Sequence, residues 1–71
     1  MILKSQNMLN EDMAKLQIRK YKSRRYVVVL ELWERTEYFL EYFDSLVGAE
    51  KLFNKTLPLK LVSFRKKEAD D

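Results

Sequence analysis

The clearest pattern in the chain lies between Tyr26 and Trp33, where Tyr26, Val28, Leu30 and Leu32 alternate with Val27, Val29, Glu31 and Trp33. A period of two in a run of β-branched and aromatic residues predicts a strand over 26–33. Its first set is wholly apolar and should face a core, while the second ends in Glu31 and Trp33 and should be partly covered or wet. From Thr36 the period changes. Placed at about 100° per residue, Tyr38, Phe39, Leu40, Tyr42, Phe43, Leu46 and Val47 fill one arc and Glu37, Glu41, Asp44 and Ser45 the other, which predicts an amphipathic helix over 36–47. Thr36 is placed to cap it, Glu37 suits the positive end of its dipole, and Gly48 sits where a left-handed residue would end it. The apolar arc spans about 200°, wider than the roughly 100° that one sheet covers, so part of it should serve a second contact.

Beyond Gly48, the spacing of Ala49, Leu52 and Phe53 predicts a short second helix over 49–55, which Pro58 would stop from continuing. Leu57, Leu59 and Leu61 then alternate with polar or partly apolar neighbours, predicting a strand over 57–64 whose proline favours an edge or a strand start. Toward the N-terminus, Leu16 and Ile18 predict a strand over 15–22, joined to the next by a turn around Ser23 that lacks the usual Asn-Gly or Asp-Gly pair. Asn10, Glu11 and Asp12 followed by Arg19 and Lys20 also fit a capped helix carrying Met13, Leu16 and Tyr21 on one side, and the strand is preferred. Residues 1–14 are expected as a loose or helical arm and 65–71 as a frayed tail.

Together these elements predict a small two-layer α+β domain with about three strands (15–22, 26–33, 57–64), one main helix (36–47) and a short second one (49–55). The stretch between the last two strands is long enough for either a parallel or an antiparallel return. An all-α alternative exists, because Val29, Leu32, Trp33, Thr36, Phe39, Leu40, Phe43, Leu46 and Val47 also fit one helical stripe. The Tyr-Val-Val-Val start argues against it.

Length and composition narrow the function. With 71 residues there is one domain, which buries roughly 60% of its unfolded surface. The chain has no cysteine and no histidine, which excludes disulfides, Cys/His zinc sites, thiol nucleophiles and imidazole bases. Its one glycine, Gly48, cannot build a phosphate-cradling loop or a dinucleotide turn. The longest apolar run, Tyr26 to Leu30, is far short of the roughly 20 residues a membrane helix needs. No secretory signal is visible, so a cytoplasmic location is expected, with no membrane partner.

The net charge of +3 conceals a segregation along the chain. Residues 15–25 hold six cations and no acid, residues 31–50 hold six acids against Arg35, and residues 51–67 hold six cations again. Arg19, Lys20, Lys22, Arg24 and Arg25 surround Tyr21, a combination suited to phosphates with an aromatic to stack on a base. Solvated charges that protect a strand edge would look the same. Lys55, or Arg65, Lys66 and Lys67, would extend the cationic surface if the fold brought them near.

Trp33, Tyr38, Phe39, Tyr42 and Phe43 are five of nine aromatics, and they fall within eleven residues. Most of this cluster should be core, and Trp33, Tyr38, Phe39 and Tyr42 are the candidates for an interface anchor. Glu34, Glu37, Glu41 and Asp44 would form an outward stripe on one helix, more typical of a solvated face than of a metal site. No cofactor or metal is expected, and no catalytic constellation is visible. The sequence therefore points to a small non-catalytic, regulatory binding protein that contacts nucleic acid. The alternative is a protein-interaction module or inhibitory subunit, self-associating through the aromatic helix.

Overall fold

A computed structural model describes residues 1–11 and 13–60. The elements run β1 (Ile2–Asn7), β2 (Ala14–Lys22), β3 (Arg25–Leu32), β4 (Glu37–Phe43) and α1 (Leu46–Thr56). The strands form one antiparallel sheet in the order β1-β2-β3-β4, so each neighbour in sequence is a neighbour in space. The α+β class holds and the all-α alternative does not.

β2 and β3 follow the expected alternation. Leu16 stands opposite Leu30 and Ile18 opposite Val28, and these four side chains point to one face, where α1 lays Ala49 and Phe53 on them. All six are at most 2% exposed. Met8, Ala14 and Leu32 close this core at one end, and Tyr26, Leu40, Phe43, Leu52 and Leu57 pack around its margin. Lys4 of β1 holds its ammonium 4.7 Å from the centre of the Phe53 ring, so its stem covers apolar surface while its charge lies over a π face.

Three expectations need correction. Residues 37–43, expected within a helix over 36–47, are β4. The cause is a bulge: Val28 pairs with Glu41 and Val29 with Phe39, so Leu40 is an extra residue on the β4 side. Phe39 and Tyr42 thereby share a face at a spacing of three, as do Leu40 and Phe43, and a bulged strand imitates the helical repeat. The high β-propensity of its four aromatics is what decides. Next, residues 2–7, expected in a loose or helical arm, form the edge strand β1. Finally, the strand expected over 57–64 does not begin at its N-terminal end, because Leu57 and Pro58 make a turn after α1 and Leu59 and Lys60 have no regular structure. The remainder of that strand and the tail over 65–71 lie outside the described residues.

The second helix is present and longer than expected. Ser45 caps it, its hydroxyl accepting from the Gly48 amide at 3.3 Å. Gly48 therefore lies inside α1, not beyond a helix end, and its φ is not positive. Its value there is space, since a Cβ would sit 3.0 Å from Cδ1 of Phe43. Where α1 ends, the Leu9 amide donates to the Leu57 carbonyl at 3.1 Å and the Asn10 side-chain amide to the Pro58 carbonyl at 2.7 Å. These bonds tie the C-terminal end of α1 to the β1–β2 connection.

Candidate nucleic-acid interface

The basic segment is the β2–β3 hairpin. Lys20 pairs with Tyr26 and Lys22 with Arg25, leaving Tyr21 in an irregularity and Ser23 and Arg24 as the turn. Arg24 adopts φ 59°, the left-handed region that turns normally give to Gly or Asn and that costs other L-residues about 1–2 kcal/mol. A cation thus stands at the tip where a small residue would be less strained. All residues from Lys20 to Arg25 are exposed. The N-terminus joins them: the Lys20 amide donates to the Met1 carbonyl at 2.8 Å, and the Met1 ammonium donates to the Lys20 carbonyl at 3.3 Å.

Among the described residues, Lys20, Lys22, Arg24 and Arg25 make no ion pair with a carboxylate. Asp44 follows Phe43, which pairs with Tyr26, and is the acid nearest in register to this end of the sheet. The cations lie against rings instead. The Lys20 ammonium is 6.0 Å from the Tyr26 ring centre and the Lys22 ammonium 5.9 Å from that of Tyr21.

Arg19, one residue before this group, behaves differently. Its guanidinium forks onto Glu37, with Nη1 3.3 Å from Oε1 and Nη2 in closer contact with Oε2, and its Nε donates to Gln17 Oε1 at 2.7 Å. The hydrogen bond from Arg19 holds the Glu37 carboxyl below its ordinary range, with Coulomb attraction adding to it and desolvation opposing. The same bond raises the Arg19 pKa further, so that side chain stays charged. Arg19 is therefore neutralised by an acid and lies over the sheet, its guanidinium carbon 5.9 Å from the centre of the Phe39 ring.

Lys55 does not join the hairpin. It lies in the last turn of α1, which is tied to the β1–β2 connection, whereas the hairpin tip is at the other end of β2. Seven residue steps, roughly 23 Å of strand, separate Lys15 from Lys22. Arg65, Lys66 and Lys67 lie outside the described residues.

The aromatic candidates are split by the strand that replaces their helix. Phe39 and Tyr42 stand opposite Val29 and Val27 on the face away from α1 and are 51% and 48% exposed. Tyr21 reaches the same surface from β2, its ring 6.5 Å from that of Tyr42 in an edge-to-face contact at 79°. Tyr38 stands opposite Leu30, on the other face, and Trp33 belongs to the β3–β4 turn at the far end. There Trp33, Met13, Lys15, Glu31 and Arg35 line an open groove of about 490 Å³. Glu34, Glu37, Glu41 and Asp44 do not form one helical stripe, and among the described residues no group of acids is arranged to hold a metal ion. Among those residues, too, no helix is long and apolar enough to cross a membrane.

Sequence reasoning found the cations because they are contiguous. It missed the Arg19–Glu37 pair, whose members are 18 residues apart, and it missed that Tyr21, Phe39 and Tyr42 share one face. For Phe39 and Tyr42 the signal was present in their three-residue separation across Leu40. No protein-family model, curated protein or solved structure matches the chain.

Proposed function

We propose that the protein is a small non-catalytic, cytoplasmic binder of nucleic acid, of regulatory type, that grips phosphates with the β2–β3 hairpin. The observation that carries this reading is the concentration of Lys20, Lys22, Arg24 and Arg25 at the exposed end of one hairpin, without a carboxylate partner among the described residues and with Tyr21 between them. Unpaired exposed cations displace the condensed counterions of a polyanion at little desolvation cost, and release of those ions supplies the free energy. The left-handed Arg24 fits the same reading, since the hairpin keeps a cation at its tip against backbone preference.

Four phosphate contacts predict that log K falls with log salt at a slope of about −3 to −4. The triple variant Lys22→Gln, Arg24→Gly, Arg25→Gln should flatten that slope by about two to three units. Glycine at position 24 suits the turn, so the variant's fold should survive and its thermal melt should show it. Fluorescence anisotropy on labelled oligonucleotides reads the slope, and a wild-type protein that binds none of them at low salt defeats the proposal.

A second reading is supported by the half-exposure of Phe39 and Tyr42 on a sheet face that no described element covers. In it a protein partner, or a second copy of the chain, docks on those rings. Light scattering and sedimentation over a range of concentrations test the self-association form.

A further inference from the structure

Resting on the nucleic-acid reading, we infer that the ligand is an unpaired strand, and that Tyr21, Tyr42 and Phe39 on the open face of the sheet receive its bases. The cations alone would serve duplex and single strand equally, so the choice depends on what adjoins them. Immediately beside the hairpin, on the face away from α1, stand three rings, each about half exposed or more: Tyr21 at 69%, Phe39 at 51% and Tyr42 at 48%.

Their spacing discriminates between ligand forms. Tyr42 and Phe39 stand opposite Val27 and Val29, alternate residues of β3, and so lie about 7 Å apart along the strand direction. That is twice the roughly 3.4 Å per nucleotide of a duplex strand, so neighbouring bases stacked on one another cannot each meet a ring. A strand whose bases are splayed apart can, and splaying requires that they be unpaired. The chemistry of the face has a direction as well. Exposed cations without a carboxylate partner among the described residues concentrate at the hairpin end, whereas at the other end Glu31 stands opposite both Glu37 and Lys15, and Glu37 is held by Arg19. Phosphates are attracted to the first, and the row of rings ends at Phe39, so the footprint holds about three bases, one for each ring.

Arg19 fits this arrangement as a positioning residue. Fixed by Gln17 and Glu37 and lying over Phe39, it orients the last ring of the row. The Tyr21–Tyr42 contact likewise holds two rings at a defined angle before any ligand arrives.

The test compares a short oligothymidine, its ribonucleotide counterpart and a duplex of equal length, by anisotropy at fixed salt. Both single strands should bind at least about tenfold tighter than the duplex. Tyr21→Ala and Tyr42→Ala should each weaken single-strand binding by about 5- to 100-fold and leave the salt slope unchanged, because stacking releases no counterions. Tyr21→Phe and Tyr42→Phe keep a stacking ring and should bind like the wild type. Equal affinity for single strand and duplex, with both alanine variants unchanged, overturns the inference and leaves phosphate binding by the hairpin standing. If no oligonucleotide binds, both readings fall. A dimer that Tyr42→Ala converts to monomer without altering oligonucleotide affinity also overturns it, by assigning the face to a second copy.

Discussion

Beneath α1, Leu16, Ile18, Val28 and Leu30 are at most 2% exposed, and a helix with Ala49 and Phe53 on its inner side covers them. On the opposite face of the same strands Val27 and Val29 are 2% and 0% exposed, with no described element above them. Their neighbours in register are Gln17, Arg19, Phe39 and Tyr42, residues that are polar or ringed; Gln17 is itself buried and the other three are partly exposed. One face excludes water with a second layer. The other does so with long side chains whose polar ends must then find partners, and Arg19 finds Gln17 and Glu37. Equal burial can thus rest on a dry apolar layer or on an amphipathic one, and only the second leaves chemistry accessible from solvent.

The contrast is sharpest in truncation. Phe53→Ala empties the centre of the dry layer and should cost about 3–5 kcal/mol. A domain of this size has roughly 4–10 kcal/mol in all, so that variant loses about a third or more of its stability and its urea midpoint should fall in proportion. Val29→Ala removes fewer atoms from a side chain just as buried, over which only side chains of the neighbouring strands lie. Its expected cost is roughly 1–2 kcal/mol, read as a lower urea midpoint with an unchanged slope. Equal losses in the two variants would break the comparison, because the open face would then be packed as rigidly as the covered one.

The covered face was also the more legible in the sequence. Leu16, Ile18, Val28 and Leu30 alternate because one side of β2 and β3 meets only apolar atoms, and Ala49, Leu52 and Phe53 repeat at helical spacing because α1 presents a single stripe. The open face obscured its own pattern. The bulge at Leu40 changed a period of two into spacings of three, and aromatics that belong to a strand then satisfied a helical template. β1 was hidden for another reason: all six of its residues are exposed, so its place in the sheet is fixed by backbone pairing with β2, to which side-chain pattern contributes little. The candidate site shows the same division. Contiguous cations announced the hairpin, whereas the ring platform beside it depends on strand register and could not be read before the fold was in view.

The smallest effect expected is also the most specific to the open face. Glu37→Gln removes the carboxylate that fixes Arg19 over Phe39 and should lower the urea midpoint slightly at pH 7. Because Arg19 depresses the Glu37 pKa in the folded state, the unfolded chain takes up a proton first as pH falls, so the stabilising contribution is present above the ordinary glutamate value of about 4.3. It diminishes as pH drops through the folded-state value, which lies lower. The difference in midpoint between wild type and Glu37→Gln should therefore be constant from neutrality down to about pH 5 and shrink below it. Arg19 stays protonated throughout and adds no titration of its own. A difference that grew on acidification would mean that the pair opposes folding, and the open face would then owe its burial to the rings alone.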